Sequence, residues 1–431
     1  MSAPLRAVVV GAGAMGRAWL RAVEANDDVE LAGIADLAVG IADQAAAEAG
    51  HPGLPTGPDA VELARRTGAE AIINVTIPAA HQPVTTAALL AGLPVLGEKP
   101  VASTVAEGLS LAAAAELTGQ LFMVSQSRRY NRHLFAAKRQ AGALGRIGIL
   151  AVDFFKAPHF GGFRDLMASP LLLDMAIHQF DMARFLLDAD PVAVTCEEFN
   201  PAWSWYAGNA AATATFEFES GARFVFNGSW CSPGLETSWN GSWRISGEHG
   251  TVLWDGDHEP TVGLAAPAGL GAEEAALRRP VADPGQEIAG SLREFVAAVR
   301  TGAEPMGRVH SNIMSLAMVE AAVKSTTAGR RVALDEILGD SYETALAAET
   351  NEDVLRVLKS WPSVRSALAR RGSRPEQDPA QHDDGYVQHD AHALRQLGDP
   401  VDAEHVKRPE EDPDGGHDEG GDHGTLGGSP E

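Results

Sequence analysis

A glycine-rich turn directly after an apolar run constrains the fold of this chain more than any other feature of its sequence. The run is Leu5–Val10, and the turn comprises Gly11, Ala12, Gly13, Ala14, Met15 and Gly16. At this spacing the first glycine permits a tight turn, the second lets the backbone approach a pyrophosphate, and the third lets a helix pack closely on the strand. The free N–H groups of the following helix favour a phosphate. The turn therefore predicts a dinucleotide site; a glycine turn without a ligand is the alternative.

An acidic residue stands where such a site needs one for the ribose of the nucleotide. Asp36 directly follows the second apolar run, Val29–Ala35, 20 residues after Gly16. A carboxylate at this position accepts hydrogen bonds from the ribose hydroxyls and repels a 2′-phosphate. Leu37 and Ala38 come next, so no cation is at hand for that phosphate. The sequence therefore predicts NAD as the cofactor in preference to NADP.

Short apolar runs alternate with longer helical stretches up to about residue 125. The runs lie at residues 5–10, 29–35, 71–77, 95–96 and 121–124. Continuous Val, Ile and Leu indicate strands that are buried on both faces, as in a parallel sheet covered by helices. Thr104 and Glu107 have capping-box spacing before a helix predicted over residues 104–117. These features predict an α/β Rossmann domain over residues 1–125.

The pattern changes after an apolar helix predicted over residues 170–187. Phe216-Glu-Phe218 and Phe224-Val-Phe226 flank a Ser-Gly turn, which indicates a β-hairpin. Six tryptophans lie in this part of the chain, namely Trp203, Trp205, Trp230, Trp239, Trp243 and Trp254. We predict an α+β domain over residues 126–338 with an open, mainly antiparallel sheet. Further helices are predicted over 286–300, 312–328 and 351–370, the last of them in a helical extension at 339–371.

The chain has a large negative net charge, and acidic residues are concentrated in its C-terminal segment. The formal charge is −24, and residues 372–431 contain 16 acidic and 4 basic residues, which supply half of it. Such a segment buries too little apolar surface to offset the entropy of ordering, so we expect a disordered tail. Its six histidines allow a metal-binding interpretation, but their irregular spacing favours a solvated tail. The acidic charge argues against nucleic acid as a partner.

Other features of the sequence bear on its location. No run of eighteen apolar residues predicts a membrane span, and the first residues lack the pattern of a signal peptide. The two cysteines, Cys196 and Cys231, are far apart and outside any paired motif. A disulfide framework or a zinc site is not expected, and the sequence predicts a cytoplasmic protein without a bound metal.

Two further segments carry residues suited to chemistry. Gly97-Glu98-Lys99-Pro100 follows a predicted parallel strand. Ligands of open α/β sheets bind beyond the carboxyl ends of the strands, so Lys99 is expected to reach a nicotinamide. A surface Glu–Lys pair before a helix is the alternative.

Asp174, His178 and Asp181 stand at spacings of four and three residues, which places them within about a 60° arc of one α-helix. The rest of that helix is mostly apolar, and a polar stripe there is costly unless its members pair with each other or with a ligand. Histidine suits the removal of a hydroxyl proton, a carboxylate can orient it, and the Lys99 ammonium can stabilise an alkoxide. A buried structural histidine is the first alternative, and a metal site is a weaker one.

Taken in this order, the three motifs make residues 5–338 resemble the glucose–fructose oxidoreductase/inositol dehydrogenase (Gfo/Idh/MocA) family. Thr76-Ile77-Pro78 followed by His81 looks like the family's turn beside the nicotinamide ribose, and Arg128-Arg129-Tyr130 looks like its crossing into the second domain. The resemblance implies hydride transfer from a secondary hydroxyl of a sugar, inositol or related polyol to NAD or, less favoured, NADP. It places Lys99, Asp174 and His178 at catalytic positions. It places Thr76, Pro78, His81 and Glu98 with Lys99 around the cofactor.

The same resemblance implies further features of the molecule. The Lys99–Pro100 bond is expected to be cis, and Asp181 is expected to act structurally through Arg184. Family members commonly form homodimers or homotetramers through the open sheet face, which would cover exposed tryptophans. The segments around residues 163–177 and 200–205 depart from many relatives and indicate a distinct subgroup. The acidic tail has no counterpart in the family pattern.

Several side chains are candidates for contact with the substrate. Tyr130 and Arg164 are the first of these, beside Asp174 and His178, because aromatic faces stack on sugar C–H groups and arginine supplies fixed donors. Trp205 and Trp239 are further candidates, although a core or subunit-interface position is favoured for them. His159 and Lys156 are weaker ones. Two other functions remain open: a sugar enzyme that keeps its nucleotide bound, in a hydride shuttle or a redox-neutral reaction, and a non-catalytic NAD sensor.

Overall fold

The first six strands form one parallel sheet. The computed structural model describes residues 3–265 and 283–369, together with residues 277, 279 and 281. The strands are β1 Leu5–Val10, β2 Val29–Ala35, β3 Thr56–Gly57, β4 Ala71–Asn74, β5 Val95–Glu98 and β6 Phe122–Ser125. They lie in the order β3-β2-β1-β4-β5-β6, and all neighbouring pairs are parallel. The predicted Rossmann sheet is confirmed.

Helices follow the strands of this sheet and cover it. They are α1 Ala14–Glu24, α2 Val39–Glu48, α3 Ala60–Thr67, α4 Pro78–Leu90 and α5 Val105–Thr118. Val8, Val9 and Ile72 are fully buried, as expected for strands covered on both faces. The fourth strand was predicted to reach residue 77 but ends at Asn74. The chain turns there because the Asn74 side chain accepts a hydrogen bond from the Thr76 hydroxyl, and α4 then begins at Pro78.

The glycine turn satisfies the steric demands that its spacing predicts. Gly11 has a φ of +99°, a conformation that side chains disfavour. A Cβ atom on Gly16 would lie 2.0 Å from the carbonyl oxygen of Gly11. Helix α1 can therefore approach the end of β1 only because both positions are glycine. This close approach directs the N-terminus of α1 toward the carboxyl edge of the sheet.

A second sheet of eight strands follows, in the order β13-β12-β11-β7-β10-β9-β8-β14. Its strands are β7 Ile147–Phe155, β8 Pro191–Phe199, β9 Ala211–Phe218, β10 Arg223–Ser229, β11 Ser242–Gly247, β12 Gly250–Trp254, β13 Thr261–Leu264 and β14 Val332–Ala333. Only β7 and β10 are parallel neighbours, so the sheet is mainly antiparallel, as predicted. The predicted hairpin is β9–β10, with Phe224 opposite Phe216.

One face of the second sheet is packed by aromatic side chains against helix α7, Ile177–Leu187. The ring of Phe180 in α7 lies 4.8 Å from Phe216 and 5.3 Å from Phe226, in edge-to-face arrangements. Trp230, Trp243 and Trp254 are buried in the same core. These three tryptophans are therefore buried within one chain. The expectation that a partner subunit covers exposed tryptophans applies to residues such as Trp203 and Trp239.

The helix predicted over residues 170–187 is two helices of different kinds. Residues Leu171–Ala176 form a π-helix, and α7 begins at Ile177. A π-helix has wider turns because its hydrogen bonds span five residues, and such segments are frequent at functional sites. The simple α-helical arc that was predicted for Asp174, His178 and Asp181 is therefore wrong for Asp174, which lies in the wider turn.

Helix α6, Arg132–Gly142, lies between β6 and β7, and further helices close the described part of the chain. These are α8 Glu287–Thr301, α9 Val309–Ala328, α10 Leu334–Ala348, α11 Glu352–Ser360 and α12 Val364–Leu368. The single helix predicted over 351–370 is broken at Trp361-Pro362, because proline disfavours a helical conformation in the residue before it. The Trp361 indole donates to Glu116 of α5 at 3.0 Å. The predicted tail at 372–431 lies outside the described residues.

Both cysteines are free and buried. Within residues 3–265 and 283–369, we find no helix with the length and apolar character needed to cross a bilayer.

Candidate active site

The glycine turn and Asp36 meet at the carboxyl edge of the first sheet. The Ala12 N–H donates to Oδ2 of Asp36 at 2.9 Å, and the Ala38 N–H donates to Oδ1 at 2.9 Å. These bonds fix the carboxylate beside the turn, where it can face a ribose. Gly13 precedes α1 and supplies no side-chain cap, so the first N–H groups of that helix are available to a phosphate. The arrangement fits a dinucleotide.

The turn at residues 76–78 is tied to the turn that contains Lys99. Nδ1 of His81 lies 2.7 Å from the Pro100 carbonyl oxygen, and Nε2 lies 3.0 Å from the Thr76 carbonyl oxygen. Burial lowers the pKa of His81. The imidazole therefore holds two loops together at the edge where Lys99 emerges. The Lys99–Pro100 bond is cis, as the family resemblance implies.

Glu98 is buried on the other side of the same turn. Its carboxylate accepts hydrogen bonds from the Trp19 indole at 2.8 Å and from the Lys99 N–H at 3.0 Å. Burial raises the pKa of Glu98. Glu98 thus joins helix α1 to the Lys99 turn, and its expected contact with the cofactor stays a prediction.

Lys99 of the first domain meets Asp174 of the second. Its Nζ donates to the backbone carbonyl of Asp174 at 2.8 Å and lies 3.6 Å from Oδ1 of the same residue. Arg164 binds the other carboxylate oxygen, with Nε 2.8 Å from Oδ2. The Asp174 carboxylate is therefore held between two cations. The two segments that the sequence analysis singled out separately are brought together here.

His178 lies one helical turn beyond Asp174 and is almost fully buried. Its Nδ1 is buried and unpaired, and within the described residues the imidazole makes no hydrogen bond. Burial holds the pKa of His178 well below its ordinary value of 6.5, and the positive charges of Lys99 and Arg128 lower it further. The imidazole is therefore neutral at neutral pH. The expected hydrogen bond from Asp174 to His178 is absent, because the carboxylate binds Lys99 and Arg164 instead.

Asp181 has a structural role, but its predicted partner is wrong. The Arg129 guanidinium donates to both of its carboxylate oxygens, at 2.6 and 2.8 Å, and the Ser315 hydroxyl donates at 2.7 Å. Arg184, the predicted partner, binds Asp190 at 2.7 Å. The buried Arg129–Asp181 pair fastens helix α7 to the segment that leaves the first domain.

Arg128 is a site residue that the sequence analysis quoted but did not assign. Its charge acts on His178, and its Nη1 donates to Glu287 at 2.9 Å. Its buried Nε has no hydrogen-bond partner among the described residues. The signal in the sequence was its place next to Arg129 in the crossing segment. Arg128 therefore places a positive charge and an unpaired donor beside a neutral imidazole.

Tyr130 is not a pocket residue. It is buried in the core that packs against the first sheet, together with residues of helix α8, and its hydroxyl donates to Glu294 of that helix. The prediction that it contacts the substrate is wrong for this reason: its position after Arg129 directs it inward, where the hydroxyl is satisfied by a carboxylate.

The other candidate residues lie on the loops that follow β7, β8 and β10. Because these three strands run in the same direction, their loops leave the same end of the sheet. The Lys156 ammonium binds Glu236 at 2.6 Å and lies 4.7 Å from the centre of the Trp239 ring. His159 stacks on Trp205 with ring centres 4.8 Å apart. All four therefore have partners within the chain.

A metal site is the weaker interpretation of the polar stripe. In the part of the chain that the structure describes, no cluster of three or more His, Cys, Asp and Glu side chains could hold a metal ion.

The fold and the paired segments define a class: an oxidoreductase with an NAD-binding Rossmann domain. The family model described as "Oxidoreductase family, NAD-binding Rossmann fold" matches residues 5–126, and the model of the GFO/IDH/MocA C-terminal domain matches residues 135–253. The chain therefore belongs to the Gfo/Idh/MocA family, as its motifs predict.

Curated relatives are similar over most of their length. Inositol 2-dehydrogenase from Rhizobium meliloti is 26% identical over 346 residues, which cover 76% of this chain and 98% of the relative. D-apiose dehydrogenase from Paraburkholderia graminis is 27% identical over 289 residues, covering 62% and 72%.

Solved structures share the fold. An oxidoreductase from Agrobacterium radiobacter, in complex with NAD+, L-tartaric acid and magnesium, has a TM-score of 0.66 at 20% identity and covers 78% of this chain and 99% of its own. The WlbA dehydrogenase from Chromobacterium violaceum, in complex with NADH and UDP-GlcNAcA, has a TM-score of 0.66 at 21% identity and covers 77% and 96%.

Proposed function

We propose that this protein is an NAD-dependent dehydrogenase that oxidises a secondary hydroxyl of a sugar, an inositol or a related polyol. The observation that carries the proposal is the contact of Lys99 with Asp174 beside His178. This contact brings Lys99, at the edge of the first sheet where the cofactor would bind, close to the uncharged imidazole of His178 in the second domain. The names of the curated relatives support this substrate class.

The chain's own residues divide the work of the reaction. His178 accepts the hydroxyl proton, because its imidazole is neutral and its nitrogens are not engaged by other described residues. The Lys99 ammonium binds the reacting oxygen and stabilises its developing negative charge. Asp174 holds this ammonium in place through its carbonyl and carboxylate oxygens. Bound NAD+ would accept the hydride, which leaves a ketone, a protonated His178 and NADH.

The cofactor would be held by groups that this chain already positions. The N–H groups at the start of helix α1 would meet the pyrophosphate, and the fixed Asp36 carboxylate would accept hydrogen bonds from the ribose. Thr76, Pro78 and His81 would border the nicotinamide end. Arg164 and Arg128 would supply donors to substrate hydroxyls once the substrate is bound.

The direct test is turnover with a panel of monosaccharides, inositols and sugar acids, followed by NADH absorbance. His178→Ala should lower kcat by about 10²- to 10⁴-fold, the usual contribution of a general base, while the Kd for NAD stays near the wild-type value. His51→Ala, at an exposed histidine of the first domain, is the matched control and should keep full activity. Normal turnover in His178→Ala would refute the assignment of the base.

NADH release separates this proposal from the two other functions. A dehydrogenase releases one NADH per ketone formed, whereas a hydride shuttle or a redox-neutral enzyme ends with its nucleotide unchanged. A sensor would bind NAD and oxidise none of the panel.

A further inference from the structure

Two phenylalanines are exposed next to the proposed reaction centre. Phe160 and Phe163 expose 59% and 61% of their surface, although neighbouring aromatic residues such as Trp230 are buried. They lie on the loop between β7 and the π-helix, and we call them the phenylalanine pair. Two exposed aromatic rings that contact the same arginine beside a site call for an explanation in terms of binding.

The pair is linked to the reaction centre through one side chain. The guanidinium carbon of Arg164 lies 4.8 Å from the Phe163 ring centre and 5.6 Å from that of Phe160. The same guanidinium donates to Asp174, whose other carboxylate oxygen faces Lys99. Only the width of one guanidinium therefore separates the rings from the Asp174 carboxylate. A sugar bound at Lys99 would have the pair beside it.

The exposure of the pair is not the result of an unanchored loop. The Tyr206 hydroxyl donates to the Pro158 carbonyl at 3.1 Å, and the Ala207 N–H donates to the Asp165 carbonyl at 2.8 Å. The Phe160 ring lies 6.3 Å from that of Trp230 in the core. The loop is thus anchored on both sides of the two phenylalanines, whose rings are exposed to solvent.

The charges around the pair indicate the kind of group that it receives. Lys156 is paired with Glu236 at 2.6 Å, and Arg164 with Asp174 at 2.8 Å. Both cations of this rim therefore have a carboxylate partner, and Arg164 shares its partner with Lys99. A phosphate or nucleotide substituent would compete with these carboxylates for the cations, whereas a neutral ring would leave every ion pair intact. The surface fits a neutral aromatic group better than an anionic one.

We propose that the phenylalanine pair binds the aromatic aglycone of a neutral glycoside, whose sugar is the part oxidised at Lys99 and His178. The inference rests on the proposed dehydrogenase function and narrows its substrate class. Stacking and edge contacts between the aglycone and the two rings would hold the glycoside, while its sugar hydroxyls meet Lys99, Arg164 and His178.

The experiment compares kcat/KM for methyl and phenyl β-D-glucopyranosides, galactopyranosides and xylopyranosides, with the full chain and NAD. We expect the phenyl glycoside of the accepted sugar to be favoured by about tenfold or more, since burial of an aromatic ring is worth at least that factor. The double variant F160A/F163A should bring the phenyl-to-methyl ratio close to one. Leu90→Ala, at an exposed apolar residue of helix α4, is the control and should leave the ratio unchanged.

Each of the other results has one meaning. A phenyl-to-methyl ratio near one in the wild-type protein would overturn the inference and leave the dehydrogenase assignment standing. So would an unchanged ratio in F160A/F163A. A change in the mass of the particle in F160A/F163A, measured by light scattering, would assign the pair to an interface between copies instead. If the panel and all six glycosides fail to yield NADH, the proposed function itself fails.

Discussion

At the scale of single residues, burial decides the chemistry of His178. The imidazole has no hydrogen-bond partner in the described part of the chain, and the low polarity around it favours the uncharged form. The nearby charges of Lys99 and Arg128 act in the same direction and keep the pKa of His178 low. A neutral imidazole is the form that can take a proton, so these effects agree with the proposed role of His178 as the base.

The pH dependence of the reaction follows from this low pKa. The base form is lost only as the pH falls through the lowered pKa of His178, so the acid limb of kcat/KM should lie below pH 6.5. Removing one of the positive charges in Arg128→Gln should move the limb to higher pH. Arg356→Gln, at an exposed arginine of helix α11, should leave the limb in place. A wild-type limb at or above pH 6.5 would contradict the assignment.

The nucleotide preference depends on Asp36 and the residue after it. Asp36→Ser with Leu37→Arg removes the charge that repels a 2′-phosphate and adds one that attracts it. We expect the ratio of kcat/KM for NAD to that for NADP to fall by about tenfold or more, equivalent to about 1.4 kcal/mol. The ratio is the proper measurement because Asp36 also accepts the N–H of Ala12 in the glycine turn and the N–H of Ala38, so absolute rates will fall as well. Leu37→Arg alone, measured beside it, should give a smaller change.

Residue types and spacing singled out Lys99, Asp174 and His178, whose catalytic roles stay a prediction, and tertiary pairing explains the failures. Lys99 could be predicted because its motif follows a parallel strand, and His178 because it interrupts an apolar helix. The partner of Asp181 could not, because Arg129 is distant in sequence and spacing along a helix favours a neighbour such as Arg184. Tyr130 failed because its inward direction depends on packing against helix α8.

At the scale of elements, the sequence predicted strands better than the ends of helices. Continuous apolar runs identified the buried strands of the first sheet, and alternating phenylalanines identified the β9–β10 hairpin. The π-helix at Leu171–Ala176 escaped prediction because the same apolar residues are compatible with an α-helix. Asp174 in this wider turn contacts Lys99, which lies 75 residues earlier in the chain, and such a contact is not visible in the local pattern.

The packing of helix α1 on β1 gives a test at this scale. A methyl group on Gly16 would lie 2.0 Å from the Gly11 carbonyl oxygen, so α1 must move away from the turn in Gly16→Ala. We expect the Kd for NAD to rise by about tenfold or more and the free energy of unfolding to fall by about 1–3 kcal/mol. Isothermal titration and urea unfolding measure the two effects.

Gly40→Ala in helix α2 is the matched control for Gly16→Ala. Its new methyl group would enter open space, so this variant should bind NAD normally and gain about 1 kcal/mol from its higher helix propensity. An equal loss of NAD affinity in both variants would show that the close approach at Gly16 is not required.

At the scale of the whole molecule, the helical extension is part of the folded body. Leu358 and Trp361 are buried, and the Trp361 indole shares the Glu116 carboxylate with the His310 imidazole of helix α9. Tyr342 of α10 donates to the Leu358 carbonyl at 2.9 Å. Helix α5 of the first domain is thereby joined to helices from the end of the chain. The homodimer or homotetramer expected through the open sheet face stays a prediction.

Two truncations distinguish the extension from the segment that follows it. Ending the chain after residue 348 removes Leu358 and Trp361 and exposes their partners on α5, and each large buried side chain lost costs about 2–5 kcal/mol. The melting temperature should therefore fall by several degrees. Ending it after residue 371 removes a segment whose acidic composition offers little apolar surface to bury, so melting temperature and turnover should stay near wild type. Since that truncation also removes half of the net negative charge, the melting temperature of both proteins should be measured at low and at high salt. A fall in melting temperature equal to that of the shorter chain would contradict the prediction that the last sixty residues are disordered.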